Sequence, residues 1–452
     1  MNAGPAAQPS RDVASLDPTV ADTIVESLRL GEVPDVGLDV ISTGIDEHLA
    51  AFEREFTRIE SGSGRIRFLR GDFGTGKTFF LKALAARAHE AGLATAYVRI
   101  SYPDVALKPL ALYATIARTL RTRRQPKGFF RAAIDRWVHR AAERASDATI
   151  GAGLNETSPD FGDAVEAQLR VMLGDLFDRA PSFAQALAGY ARALDEDRVD
   201  VSRGLLQWLA GDGHVAAGVK KYANLRGALR EEDALPMLAG LVTVLGQIGV
   251  RGLVVLIDEV ERVLRQPQPA TRMAAYMTLQ NLISAVDDDL RHVLIVVAGT
   301  TDVFEHPRGL SSLEPLRQRI ATRFDSSGFE DFDAVQVRLP PFDRQRLVTV
   351  GRRVRDVFIE RAAMPELAQR VDDDVLGSLA DDVIGAFGGR VAIAPRQFFR
   401  ETISVLSKAR QHPSYDPRSD RPSRATIVAD LALDDRERAA LEDAPTLESF
   451  DL

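Results

Sequence analysis

Residues 71–78 of the chain read GDFGTGKT and match the pattern G-x-x-x-x-G-K-[ST]. Such a loop needs glycines because its backbone N–H groups curl inward around an anion, and larger side chains would block the approach. The loop follows a strand-like segment at 65–69 and precedes a predicted helix at 77–91. Strand, loop and helix in this order open a parallel α/β sheet, and any fold of this chain must accommodate that unit.

The loop predicts a nucleotide as ligand, with ATP and Mg²⁺ as the cofactors. Lys77 supplies a mobile cation for the β- and γ-phosphates, and the Thr78 hydroxyl is a ligand for Mg²⁺. The positive N-terminal end of the following helix faces the same phosphates. The residues expected to bind the cofactor are Gly71, Asp72, Phe73, Gly74, Thr75, Gly76, Lys77, Thr78 and Phe79.

A second motif, LVVLIDE, occupies residues 253–259. Its continuous apolar run suits a central parallel strand that is covered on both faces. Such a strand delivers Asp258 to its carboxyl edge, where ligands bind in open α/β sheets. We expect Asp258 to hold Mg²⁺ beside the nucleotide, and Glu259 to orient or deprotonate the water that attacks the γ-phosphate. The pair indicates hydrolysis rather than transfer to a small-molecule acceptor.

The strand predicted at 292–301 ends in Thr300 and Thr301. A polar side chain at the tip of a central strand is placed to contact the γ-phosphate or the attacking water. The alternative is an ordinary strand-end hydroxyl with no ligand. We assign the pair to catalysis, and the sequence does not decide which of the two hydroxyls acts.

Two segments contain arginines that are candidates for neutralising the negative charge of the phosphates. The first, at 312–324, contains Arg317, Arg319 and Arg323. In an oligomer, one of these guanidinium groups would project into the neighbour's site and stabilise transition-state charge, with Arg319 as first choice. The alternative is a solvated helix with ordinary ion pairs. The second segment, at 388–403, predicts a contact from a lid helix to the nucleotide through Arg396, with Arg390 and Arg400 as alternatives.

The spacing of apolar residues divides the chain into segments of different character. In chain order we predict a flexible N-terminus (1–35), a first part of an α/β core (36–124), a helical insertion (125–248), a second part of the core (249–342), a helical lid (343–410) and an acidic tail with prolines (411–452). The predicted class is α/β, with helices inserted between strands of a parallel sheet.

Composition limits the cellular setting. The chain contains no cysteine, which excludes disulfides and thiolate metal sites. No window approaches about 18 uncharged apolar residues, and the N-terminus lacks the pattern of a secretory signal. We therefore expect a cytoplasmic protein without membrane contact. The formal net charge of −8 argues against a uniformly basic nucleic-acid binder.

Residues 118–144 are a local exception, because they hold nine Lys and Arg against two acids, with Phe129, Phe130 and Trp137 interleaved. Cations that neutralise phosphates and aromatic rings that stack on bases suit single- or double-stranded nucleic acid, so we predict a possible DNA contact here. Alternatively, the aromatic residues belong to the core, and the arginines form a solvated face or a dock for an acidic partner. Both interpretations remain open at this point.

Together these motifs resemble an AAA+ ATPase of the origin-recognition/Cdc6-like branch. Three segments, GDFGTGKTFFL at 71–81, QWLAGD at 207–212 and GVRGLVVLIDEVERVL at 249–264, are similar to the BrxD-type ATP-binding proteins of bacterial BREX phage-defence systems. The resemblance covers about 40–410. It implies an ASCE-type P-loop sheet with a helical lid, ATP binding, a role in anti-phage defence, and work alongside a helicase-like or other defence-system protein.

The leading hypothesis is an ATP-hydrolysing AAA+ protein that acts as a homo-oligomer and couples turnover to assembly or remodelling of a DNA-processing complex. One alternative is a STAND-like nucleotide switch, in which hydrolysis is only a timer, although the repeat array typical of such switches is not recognisable. Another is a ring-forming DNA translocase or helicase loader, since a single sheet core needs a ring to act as a motor.

Overall fold

The computed structural model describes residues 13, 16–100, 107–151, 167, 171–174, 176–324, 330–389 and 394–421, with all side chains except those of 145–146 and 148–151. Its chain divides into two compact units. The first comprises the residues up to 50, 71–83 and those from 338 onward, and the second comprises 51–70 and 84–337. Arg390 and residues 422–452 of the predicted tail lie outside the described residues.

Within the described residues, five strands form one sheet. They are β1 (Gly64–Arg70), β2 (Ala94–Arg99), β3 (Leu253–Asp258), β4 (Val293–Gly299) and β5 (Gln336–Arg338). The order across the sheet is β2-β3-β4-β1-β5, and β1 with β4, β4 with β3, and β3 with β2 pair in parallel. Strand β4 therefore separates β1 from β3, which is the arrangement of an ASCE-type P-loop sheet.

Helices make up most of the remaining described chain. Those with described bounds are α1 (Pro18–Arg29), α2 (Leu38–Ile41), α3 (Asp46–Glu60), α4 (Lys77–Glu90), α5 (Pro109–Thr119), α6 (Phe129–Gly151), α7 (Leu176–Arg179), α8 (Pro181–Asp195), α9 (Val199–Leu209), α10 (Ala217–Tyr222), α11 (Ala234–Gln247), α12 (Pro269–Asp288), α13 (Thr301–Glu305), α14 (Glu314–Ile320), α15 (Arg344–Ala362), α16 (Leu367–Arg370), α17 (Asp373–Ala386) and α18 (Ala394–Gln411). Short 3₁₀ helices occupy Glu231–Asp233, Val260–Arg265 and Leu310–Ser312.

The core of the second unit is built on the two central strands. Every residue of β3 and β4 is buried, as expected for apolar strands covered on both faces. Helix α5 packs against β2, and α12 packs against β1. Buried side chains of the helices between β2 and β3, including Trp137 and Phe183, belong to the same apolar cluster as the strands. The predicted class, an ASCE-type parallel sheet with a large helical insertion and C-terminal helices, is confirmed.

The core of the first unit is helical, and it brings together α1, α2 and α15–α18. Helix α1 falls within the residues expected to be a flexible N-terminus. It begins where the Asp17 carboxylate accepts a hydrogen bond from the Thr19 N–H at 2.8 Å, and Pro18 occupies the first helical position. Ala21, Ile24, Val25 and Leu28 form its buried stripe, so packing rather than local propensity makes this segment a helix.

A cluster of charges is buried near the start of the second unit. Glu55 is fully buried, and its carboxylate pairs with Arg58, Arg65 and the buried Arg67. Arg67 also donates to the Phe332 carbonyl at 2.5 Å, and its guanidinium lies 5.2 Å from the centre of the Phe52 ring. Burial alone raises the pKa of Glu55, but the Arg65 hydrogen bond and the three positive charges outweigh burial and hold the pKa below its usual value.

Candidate functional site

The glycine-rich loop lies in the first unit, between the end of β1 and the start of α4. Gly74 and Gly76 have φ angles of 75° and 88°, in the left-handed region that favours glycine. A Cβ atom on Gly71 would lie 2.5 Å from the Thr75 hydroxyl oxygen, so this position also requires glycine. The Thr75 hydroxyl donates to the Asp72 carbonyl at 2.8 Å and closes the turn. The loop thus has the compact backbone curl that an anion cradle needs.

Lys77 is the first residue of α4, and Thr78 follows it in the first turn. The buried Lys77 ammonium donates to the carbonyls of Gly71 at 2.7 Å and Asp72 at 3.0 Å, and it lies 5.5 Å from the centre of the Phe73 ring. Its cation is therefore held over the loop itself. The helix behind it is 14 residues long, and its N-terminus adds a positive potential to that of Lys77.

Phe79, which was predicted to touch the cofactor, packs against the helical core of the first unit. Phe342 packs there too, and its ring lies 3.8 Å from the position of a Cβ on Gly76. The Arg346 guanidinium covers the Phe342 ring at 4.7 Å and donates to the Thr43 carbonyl at 2.9 Å. These residues brace the loop from its own unit.

Arg396 and Arg400 lie near the start of α18, also in the first unit. The Arg396 Nε donates to the Gly31 carbonyl at 3.1 Å, and the Arg400 Nε donates to the Arg29 carbonyl at 3.4 Å. Both guanidinium groups therefore contact the end of α1. A contact between Arg396 and a nucleotide remains a prediction.

Asp258 ends β3 in the second unit and is almost completely buried. Its carboxylate accepts a hydrogen bond from the Tyr97 hydroxyl at 2.5 Å and another from the Glu259 N–H at 2.8 Å. Arg99 is its partner in the parallel register of β2 and β3. Two donors thus orient an acid at the carboxyl edge of the sheet, and its role as a Mg²⁺ ligand stays a prediction.

Glu259 follows with a φ angle of 61°, which is uncommon for a residue other than glycine. This backbone turns the chain sharply from β3 into the 3₁₀ helix at Val260–Arg265. The Arg99 Nε donates to the Glu259 carboxylate at 2.9 Å, and Arg262 forms an ion pair with it. The hydrogen bond to Glu259 raises the pKa of the Arg99 guanidinium. Two arginines therefore fix the carboxylate of the predicted base, in a backbone conformation of the kind that recurs at functional sites.

The structure separates the two threonines that follow β4. The Thr301 hydroxyl accepts a hydrogen bond from the Arg70 Nε at 3.4 Å. Thr300 is buried, and its hydroxyl has no hydrogen-bond partner among the described residues. A buried hydroxyl without a partner is costly unless a ligand or water satisfies it. Thr300 is therefore the stronger candidate for a ligand contact.

Arg70, at the end of β1, was not predicted from the sequence. Its buried guanidinium pairs with Glu305 and lies 5.1 Å from the centre of the Phe324 ring and 6.0 Å from that of Phe304. Together with its bond to Thr301, these contacts join the end of β1 to the segments on either side of α14. Asp258, Thr300 and Arg70 all stand at the carboxyl edge of the sheet, because their three strands run parallel.

The three candidate arginines of the 312–324 segment differ in their contacts. Arg317 donates two hydrogen bonds of 2.7 Å to Glu314, which holds the pKa of that carboxyl at about 2. Arg319 forms an ion pair with Asp287. Arg323 is exposed and has no hydrogen bond or ion pair to another described residue.

A model of the BREX system ATP-binding protein BrxC/D family matches residues 16–424. The chain belongs to this family. The BrxC/D family resemblance seen in the sequence is thus confirmed, and membership identifies an ATP-binding protein of a BREX system. No curated protein matched the chain. Among solved structures, the ORC2 protein of Aeropyrum pernix, determined as ADPNP and ADP complexes, has a TM-score of 0.37 and 15% identity, over 89% of this chain and 68% of that one.

The residues present fit the ATP that the BrxC/D family implies. The loop forms a glycine cradle with a cation above it, and the Thr300 hydroxyl is buried and unpartnered among the described residues. No group of three or more acids or histidines surrounds a metal position in the described chain. Thr78 and Asp258 remain the Mg²⁺ ligands predicted from the sequence. In the same described residues, no helix has the length and apolarity needed to span a membrane.

Proposed function

We propose that this BrxC/D family member binds ATP with Mg²⁺ and hydrolyses it, and that turnover drives the assembly or remodelling of a DNA-processing complex in anti-phage defence. Family membership supports ATP binding and the BREX setting. The observation that carries hydrolysis is the row of side chains at one edge of the second unit's sheet. Oriented acids end β3 there, and a buried hydroxyl that has no hydrogen-bond partner among the described residues follows β4.

Each residue has a distinct role in this proposal. Lys77 and the N–H groups of residues 71–76 bind the phosphates, and Thr78 and Asp258 hold Mg²⁺, which neutralises charge on the phosphates when bound. Glu259 accepts a proton from the attacking water, and Arg99 and Arg262 keep its carboxylate in place.

The Thr300 hydroxyl donates to the γ-phosphate or to the attacking water in this proposal. Thr300→Val keeps the side-chain shape, removes the donor, and should reduce the hydrolysis rate by about 10²-fold with little change in ATP affinity. Phosphate release at saturating ATP and binding of a fluorescent ATP analogue measure the two quantities. Thr301→Val is the matched control, and its rate should stay within about threefold because its hydroxyl contacts Arg70. Equal rates for the Thr300 variant and the wild type would remove Thr300 from the reaction.

Hydrolysis shared between subunits is the second part of the proposal, with Arg319 as the predicted trans-acting residue and Arg317 and Arg323 as the alternatives. Replacing the acting arginine by alanine should lower the rate by on the order of 10³-fold. Mixing that variant with Lys77→Ala should restore part of the activity, since the Lys77 variant still supplies an intact arginine to its neighbour's site. Phosphate release is measured over a range of protein concentrations.

Asp287→Asn is the control for Arg319, because it removes the partner of that guanidinium and leaves the arginine in place. If Asp287→Asn matches the defect of Arg319→Ala, the Arg319 effect arises from the local ion pair rather than from a neighbour's site. A wild-type rate per subunit that is independent of concentration would contradict a shared site altogether.

A further inference from the structure

The basic segment that precedes α6 contains a turn with a defined backbone. The N–H groups of Thr122 and Gln125 each donate to the other residue's carbonyl, at 3.0 and 3.2 Å. Just before the turn, Arg121 and Thr95 exchange two backbone hydrogen bonds of 2.9 Å, which attach the segment to β2. The turn is therefore closed by its own backbone bonds and attached to β2 at its start, and Arg123 and Arg124 are exposed at its tip.

The charge on this segment is uncompensated. Residues 118–127 contain five Lys and Arg and no acid, although the whole chain has a formal net charge of −8. Arg123, Arg124 and Lys127 are exposed and form no ion pair or hydrogen bond with another described residue. Like charges held together repel one another, so this arrangement favours an anionic partner that neutralises several of them at once.

The aromatic residues of the same region are not available to a ligand. Phe129, Phe130 and Trp137 are buried in the core of the second unit, so the core interpretation of these residues is correct. Binding of single strands without sequence preference relies on bases stacked on exposed aromatic rings. Since these three rings are enclosed, the surface offers cations alone, which suits contact with phosphates but not with bases.

The turn also lies away from the edge that carries the proposed catalytic residues. Thr95 is at the amino end of β2, whereas Asp258 and Glu259 follow the carboxyl end of the neighbouring parallel strand β3. Both positions belong to the second unit. A large polyanion on the turn would therefore leave Asp258, Glu259 and Thr300 accessible.

We propose that residues 118–127, with Arg123 and Arg124 at the tip of the turn, bind the phosphate backbone of duplex DNA without reading its sequence. Four of the five cations are arginines, whose planar guanidinium groups match phosphate oxygens in pairs. Duplex DNA presents closely spaced phosphates on a stiff rod, so a rigid turn engages several of them together.

The test measures binding of the full chain to a fluorescent mixed-sequence duplex of about 30 base pairs by anisotropy, without nucleotide, between 50 and 200 mM salt. We expect affinity to fall steeply with salt. The triple variant Arg123→Ala, Arg124→Ala, Lys127→Ala should bind at least about tenfold more weakly at the lowest salt. Its salt slope should be smaller by about 0.9 for each phosphate that the variant no longer neutralises.

The matched control is Lys221→Ala, Arg226→Ala, Arg308→Ala, which removes three exposed cations elsewhere in the second unit and should bind DNA like the wild type. Thermal melting verifies that both variants fold. Wild-type levels of binding by the first triple variant, or an equal loss in the control, would overturn the proposal. Tighter binding to a single strand of the same sequence would also overturn it. So would release of the labelled duplex by polyglutamate at the same concentration of negative charge at which unlabelled duplex DNA releases it, because that result would indicate an acidic protein as the partner.

Basal ATP hydrolysis separates this proposal from the proposed function. The first triple variant should hydrolyse ATP at the wild-type rate in the absence of DNA, because its substitutions lie at the opposite edge of the sheet. If this variant loses DNA binding and keeps hydrolysis, the result supports DNA binding by residues 118–127 whether or not the proposed function is right. Salt-dependent duplex binding by Glu259→Gln would show that DNA binding does not need catalysis.

Discussion

Glu259→Gln should abolish steady-state ATP hydrolysis while ATP binding persists. The substitution keeps the size and the hydrogen-bonding capacity of the side chain but removes the carboxylate that accepts a proton from water. Loss of a general base costs about 10²–10⁴-fold in rate. Arg99 and Arg262 hold this carboxylate in a fixed position, and in this proposal it is the group that accepts the proton of the attacking water. Phosphate release and binding of a fluorescent ATP analogue measure the two effects.

Glu261→Gln is the control for this substitution, since it makes the same chemical change at a buried carboxylate two residues further along the chain. That variant should retain most of the hydrolysis rate if it folds normally by thermal melting. Turnover by Glu259→Gln at the wild-type rate would contradict its role as the base. Loss of ATP binding in the same variant would instead indicate that the carboxylate supports the structure of the site.

Glu55→Gln should destabilise the second unit by about 3–5 kcal/mol, because it leaves the buried Arg67 guanidinium without its counter-charge. The hydrogen bond from Arg67 to the Phe332 carbonyl remains, but it does not neutralise the charge. The matched control is Glu53→Gln, whose partner Arg87 lies 3.5 Å away with both side chains about one third exposed. That change should cost no more than about 1 kcal/mol.

Thermal melting followed by circular dichroism compares the two variants with the wild type. The pKa of Glu55 is held below its usual value near 4.5, so its ion pairs stabilise the fold above that pH. This contribution should be lost as the pH falls below about 4.5 and the carboxylate is protonated. The difference in melting temperature between the wild type and Glu55→Gln should therefore become smaller over the same pH range. Equal melting temperatures for the Glu55 and Glu53 variants near neutral pH would contradict the role of the buried cluster.

The central strands can be predicted from the sequence because their apolar residues must be buried on both faces of a sheet. Five apolar residues precede Asp258 in Leu253–Asp258, and seven apolar or small residues precede Thr300 in Val293–Gly299. Strands of this composition are stable when both of their faces are buried. The loop at 71–78 has equally local requirements, since its glycines are needed by the backbone they form. The placement of Asp258 and Glu259 at the end of a strand, and of Lys77 after the loop, can therefore be predicted from local sequence.

The partners of these residues were not predictable, because they depend on which strands become neighbours. Arg99 is 160 residues from Glu259, and Tyr97 is 161 residues from Asp258, so no local pattern links them. Both contacts follow directly once β2 is known to pair with β3. Helix α1 was missed for a related reason, since its apolar stripe is buried by α15 and α18, which come more than 300 residues later.

Phe79 gives the nucleotide loop a thermodynamic link to distant helices. It stands two residues after Lys77, yet its ring belongs to the core that α1 and α15–α18 form in the first unit. Packing of Phe79 therefore connects the start of α4 to those helices. Any ligand that binds the folded loop therefore stabilises the whole helical core by mass action, by about 2.7 kcal/mol at a hundred times its dissociation constant. Through Phe79, and through Phe342 beside Gly76, the C-terminal helices share in the free energy of phosphate binding.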